Sequence, residues 1–138
     1  MHTASFLARF DSLESIGNLV AQAAREAGFD DNAVYEVQLA VDEAATNIIE
    51  HAYGGEGKGE IRITYQITSD SLILRIYDRG IPFDPHMIEK PKLHLKLEEL
   101  SPRGLGLYWM RNLMDYVHFE FTPEQGNILT MSKRRIAN

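Results

Sequence analysis

The 138-residue chain is 44% hydrophobic and 25% charged, which suits one globular domain over residues 1–138 and leaves little room for a second core. A formal net charge of -6 argues against a nucleic-acid backbone as partner, because phosphate binding needs clustered Lys and Arg and the only basic cluster is the short Lys133-Arg134-Arg135. With no cysteine, disulfides, thiolate metal sites and Cys nucleophiles are excluded, and no apolar run approaches the roughly 20 residues of a membrane span, so a soluble, cytoplasmic protein with no membrane contact is expected.

In chain order, Ala4 to Phe10 is short and apolar and reads as a strand, and Asp11-Ser12-Leu13-Glu14 has the form of a capping box opening a helix. That helix carries Leu13, Ile16, Val20, Ala23, Ala24 and Ala27 on one side, and Gly28 is placed to stop it. Asp30 or Asp31 then caps a second helix, in which Val34, Val37, Val41, Ala44, Ile48 and Ala52 form one apolar stripe. The glycine-dense stretch from Tyr53 to Gly59 ends it. Ile61, Ile63, Tyr65 and Ile67 alternate with polar residues, and Leu72 to Asp78 makes the return strand of an antiparallel hairpin.

From Arg79 to Arg103 the chain has Gly, Pro, charged and His residues, and a connection of that length is usually a functional loop or a mobile segment. Arg103-Gly104-Leu105-Gly106-Leu107 then opens a helix whose apolar residues include Leu107, Met110, Leu113 and Met114. A last hairpin joins Tyr116 to Phe121 with Ile128 to Ser132 around Glu124-Gln125-Gly126-Asn127. This order predicts an α+β protein, a two-layer α/β sandwich with a mixed, mostly antiparallel sheet and helices on one face.

Three stretches carry chemistry. Glu43 and Asn47 are four residues apart on the second helix, which stacks a carboxylate and a carboxamide one turn apart and lets both reach one ligand; a solvated polar face is the plainer alternative. Asp78 shares its strand face with Leu72, Leu74 and Ile76, so it is expected on the core side, where a carboxylate needs donors or a ligand-filled edge. Its alternative is an Asp capping the turn at Gly80. Gly104 and Gly106 before a helix allow close backbone approach to a phosphate, or are plain turn chemistry, and no Lys-Ser/Thr pair follows to make a P-loop.

Together, in this order and across nearly the whole chain, these stretches resemble the ATP-binding fold shared by type II topoisomerases, Hsp90, histidine kinases and MutL, the GHKL or Bergerat fold. Within it, Glu43-Ala44-Ala45-Thr46-Asn47 with His51-Ala52-Tyr53, Asp78-Arg79-Gly80-Ile81-Pro82-Phe83-Asp84-Pro85, and Arg103-Gly104-Leu105-Gly106-Leu107 look most like the anti-sigma-factor serine-protein kinases. The resemblance implies that Asn47 coordinates the Mg²⁺ bridging the phosphates, Glu43 is the general base, Asp78 accepts the adenine amino group and Gly80 lets the adenine approach. It also implies that Arg103, Gly104, Leu105, Gly106 and Leu107 wrap the phosphates, with the Arg79 to Arg103 segment as a lid. Pro82 stands where many members of the superfamily have a further glycine, and His51 is expected as a structural residue at the helix end.

The function implied is an ATP-dependent serine/threonine protein kinase that binds a sigma factor and phosphorylates an anti-anti-sigma protein of the STAS type, acting as a homodimer. The alternatives are a related switch kinase that does not act on a sigma factor, and a non-catalytic, nucleotide-gated binding module, which Glu43 discriminates, since a pure binder has no need of a base there.

Overall fold

The computed structural model describes residues 1–82 and 110–135. Strand β1 spans His2–Leu7 and ends earlier than the apolar run does, because Phe10–Ser12 turn through a short 3-10 helix. The expected capping box of Asp11 to Glu14 does not form: Asp11 lies within the 3-10 turn, and Ser12, which precedes α1, has helical backbone angles and makes no side-chain cap, while Glu56 Oε1 of the glycine-rich loop accepts the Phe10 N–H at 2.8 Å.

Helix α1, Leu13–Glu26, buries Ile16, Val20, Ala21, Ala23 and Ala24. It stops as the sequence suggests, with Gly28 at φ 88°. The Gly28 N–H donates to Arg25 O at 3.0 Å and the Phe29 N–H to Ala24 O at 3.1 Å, the paired bonds that close a helix through a left-handed residue. Asp30 Oδ1 then accepts the Ala33 N–H at 2.9 Å and caps α2, Asp31–Asn47.

Beyond Asn47 the helix continues as a π turn over Ile48–Ala52, closed by the Tyr53 N–H on Ile48 O at 2.9 Å. Such turns hold one residue more than an α turn and are frequent at functional sites. The apolar stripe of α2 lies where expected, with Val34, Val37, Val41, Ala44 and Ile48 all buried.

The remaining strands are β2, Glu60–Ile67, β3, Ser71–Asp78, β4, Tyr116–Thr122, and β5, Gly126–Arg134. Their order is β1-β2-β3-β5-β4, and each described pairing is antiparallel, so the mixed character expected of the sheet is absent among the described strands. Both helices pack on the sheet face that carries Ile61, Ile63, Leu72, Leu74, Ile76 and Met131, giving two layers around one core. Residues 110–113 are helical, and Met110 and Met114 join that core.

The insertion of β5 between β3 and β4 sets the end of β3 against the start of β5, with Asp78 opposite Asn127. No helix among the described residues is long and apolar enough to cross a membrane.

Candidate functional site

Alternation along β3 turns Leu72, Leu74, Ile76 and then Asp78 to the core side, and Asp78 is 7% exposed. A carboxylate so placed must find donors. It finds two, the Gly80 N–H and the Asn127 side-chain amide, each 2.8 Å from the same oxygen, Oδ1. Among the described residues Oδ2 takes none. Burial pushes the Asp78 carboxyl above its ordinary value, and the bonds from Asn127 and Gly80 draw it part of the way back. The turn-capping reading of Asp78 is met by Oδ1, which accepts the Gly80 N–H.

Asp78 lines a cavity of about 90 Å³ that opens to solvent. Asn47, Ile48, His51 and Ala52 form one wall, from the end of α2 and its π turn. Ile81 and Pro82 follow from the exit of β3, with Met110, Phe119, Ile128 and Leu129 completing an apolar lining around Asp78 and Asn127. Among the described lining residues there is no Lys or Arg. The described lining carries two carboxylates instead, Asp78 and Glu120.

The junction between the π turn and β3 is tightly built. A Cβ on Gly80 would stand 2.4 Å from the Ala52 carbonyl carbon and oxygen, so the bare backbone is required by a protein contact. The Ile81 N–H donates to that same Ala52 oxygen at 2.8 Å. Tyr53 supports the arrangement from behind, its hydroxyl accepting the Arg79 N–H at 2.9 Å and donating to Glu60 O at 2.7 Å. The Arg79 guanidinium in turn donates to the Glu124 carbonyl at the β4–β5 turn.

The structure thus brings Asn47 and Asp78 to one cavity, while Gly80 bonds to Asp78 from outside the lining. Glu43 stands one turn before Asn47 on α2, half-buried and outside the cavity lining. Burial raises its carboxyl above the ordinary Glu value, and the neighbouring charges of Asp42 and Glu50 raise it further. His51 makes no hydrogen bond closing the helix end; it lines the cavity, with Glu50 Oε2 3.7 Å from its Nε2. Arg103, Gly104, Leu105, Gly106 and Leu107, and the 83–103 part of the expected lid, lie outside the described residues.

Asn127 is the functional residue that sequence reasoning missed. Within Glu124-Gln125-Gly126-Asn127 it reads as turn chemistry, yet it belongs to β5, and its amide donates to Asp78 Oδ1 and to Gly80 O at 3.1 Å. Only the β3–β5 register reveals that role.

A family model described as "Histidine kinase-like ATPase domain" matches residues 6–133. A protein named serine-protein kinase RsbW from Listeria innocua is 33% identical over 132 residues, covering 86% of this chain and 78% of the relative. One of the same name from Bacillus cereus is 33% identical over 123 residues, covering 83% of this chain and 72% of the relative. Among solved structures, the RsbU and RsbW domains of Rv1364c from Mycobacterium tuberculosis align over 100% of this chain and 35% of that longer one, with a TM-score of 0.65 and 16% identity. The catalytic domain of histidine kinase ThkA aligns over 100% of both chains with a TM-score of 0.57 and 16% identity. At such identities the structural likeness speaks for the fold alone.

Proposed function

The chain belongs to the histidine kinase-like ATPase domain family and is an ATP-using protein kinase related to the RsbW serine-protein kinases; from that premise we propose that it is an anti-sigma factor, which binds a sigma factor and phosphorylates a Ser or Thr of a STAS-type anti-anti-sigma protein. Residues 1–138 act in this reading as one ATP-binding domain, cytoplasmic and homodimeric. The observation that carries it is the cavity shared by Asn47 and a half-engaged Asp78. A buried acceptor with one open oxygen suits the adenine amino group, and the apolar walls suit the faces of the base.

Asp78 Oδ2 accepts from the adenine amino group, while Asn127 and Gly80 hold the carboxylate in place. The Asn47 carboxamide, in the same lining, would hold Mg²⁺. The donor set fits that ion, which takes oxygen ligands, is commonly held by one or two protein groups plus substrate phosphates, and would offset the lack of cations on the described walls. When bound, the ion supplies neutralisation of phosphate charge.

Glu43 takes the proton of the attacking hydroxyl, and its raised carboxyl pKa makes it the stronger base for that transfer. The hydroxyl oxygen bonds to the γ-phosphorus as the bond to ADP breaks. Arg103, Gly104, Leu105, Gly106 and Leu107 complete the phosphate enclosure.

The test pairs calorimetric titration of ATP with Mg²⁺ against transfer of labelled phosphate to a serine of a candidate STAS-type partner. Absence of nucleotide binding by the unmutated protein sinks the reading. Binding without transfer to any cognate partner leaves a nucleotide-gated binding module.

A further inference from the structure

Lys133 is the inward member of the basic run at the end of β5. It stands opposite Leu72 on the core side of the sheet, and its side chain is 15% exposed. A lone ammonium there would be costly, and two acceptors meet it. One is Glu36 Oε2 of α2 at 3.0 Å; the other is the Leu113 carbonyl at 2.6 Å. Leu113 is the last helical residue of 110–113, so its carbonyl is one of the unpaired acceptors at a helix C-terminus, where a cation is favoured.

This linkage reaches the cavity through the short helix: Met110, buried and one of the lining residues, lies one turn before Leu113, and the Met110 carbonyl accepts the Met114 N–H at 3.1 Å. Asp115 adds a tie at the same end of the short helix, its N–H donating to Ser132 O at 2.9 Å and its carboxylate accepting the Arg134 N–H at 2.6 Å. Of these contacts, that of Lys133 alone reaches on to α2.

We propose that Lys133 is a positioning residue of the nucleotide site, holding the helical turn that presents Met110 in place through its bond to the Leu113 carbonyl, while Glu36 of α2 compensates its charge. The inference rests on reading the cavity as the ATP site. The Leu113 bond is the part that sets the Met110 wall. The Glu36 bond mainly compensates the charge.

The experiment measures ATP affinity by calorimetry with Mg²⁺, well below the melting temperature of every variant, and the melting temperature separately. Lys133→Met removes the donor at similar length and should weaken ATP binding by about tenfold. Lys133→Arg keeps charge and donors and should recover most of that loss. Glu36→Gln should lower the melting temperature while holding affinity within about twofold of the parent, since it leaves the Leu113 bond in place. Where Lys133→Met does not fold, Lys133→Gln replaces it and is held to the same outcomes. Parent-like affinity in Lys133→Met, or an equal loss in Glu36→Gln, overturns the positioning role and leaves Lys133 a stabilising residue only. A parent that binds no ATP overturns the reading of the cavity itself, and the inference with it.

Discussion

The Asn127 amide donates to Asp78 Oδ1 at 2.8 Å where the two residues stand opposite each other in the β3–β5 ladder. Together with the Gly80 N–H, it holds one carboxylate oxygen, and among the described residues the other takes no hydrogen bond. Asp78→Asn can keep both of those bonds through its own carbonyl oxygen, but it then offers an amide to the adenine amino group. The expected loss of ATP affinity is about 1–3 kcal/mol, the cost of leaving a buried polar group wrongly paired. Calorimetric titration of the variant measures it, and undiminished affinity would remove Asp78 from the base site.

The same substitution should not cost stability at neutral pH. Burial raises the folded-state value of Asp78 above its ordinary 3.8, so between the two values the folded chain holds a proton that the unfolded chain has released. The contribution of this group to stability therefore falls as pH rises through that window, and stays reduced above it. Asp78→Asn has no such loss. Thermal melts of parent and variant should diverge in favour of the variant as pH rises from the ordinary Asp value, and a parent that gains on the variant over that range would contradict the assignment.

Glu43 and Asn47 separate chemistry from binding. Glu43→Gln should leave ATP affinity nearly intact while cutting phosphate transfer by roughly 10²-fold or more, the usual worth of a general base. Asn47→Ala should weaken ATP binding in Mg²⁺ and transfer together, through loss of the metal ligand. Equal transfer rates for Glu43→Gln and the parent would end the claim that Glu43 is the base.

The acid limb of the transfer rate should track the charges around Glu43. Its carboxyl is raised by burial, then by Asp42, then by Glu50, so protonation should switch off the base above the ordinary Glu range. Asp42→Asn or Glu50→Gln removes one repelling charge and should move that limb to lower pH, with a modest fall in the plateau rate as Glu43 becomes the weaker base. Rate profiles of the three proteins decide it. Coincident acid limbs would place the titrating group elsewhere.

Gly80 should tolerate no side chain, whereas Gly17 should. The Cβ of Gly80→Ala would press on the Ala52 carbonyl, a backbone contact that cannot swing aside, with an expected cost of about 1–3 kcal/mol. On α1, Gly17→Ala meets only Gln38 Nε2 at 3.8 Å, and should be neutral or stabilising by up to about 1 kcal/mol. Denaturant midpoints of the two variants give the contrast directly.

What could be read in the sequence was local. The stop at Gly28, the cap at Asp30 and the inward face of Asp78 depend on residues within one or two turns or one strand, and all three are present. The capping box of Asp11 to Glu14 fails because Asp11 is taken into the 3-10 turn Phe10–Ser12, which no local pattern announces, and α1 starts only at Leu13. Asn127 escaped for the same kind of reason. No periodicity near position 127 states that β5 pairs with β3 as well as with β4, and its partner is decided only when the strands are ordered.

The π turn at Ile48–Ala52 makes chain length, as much as residue identity, a heritable property of this corner. Shortened by one residue to an ordinary α turn, the segment would rotate everything after it by about 100° and draw it in by about 1.5 Å. The Tyr53 hydroxyl would then leave Arg79 and Glu60, and the Ala52 carbonyl would leave Ile81. A chimera spliced with a relative before Asn47 or after Tyr53 keeps the count intact. A join inside that interval, made with a donor one residue shorter, would unseat the far wall while preserving every named side chain.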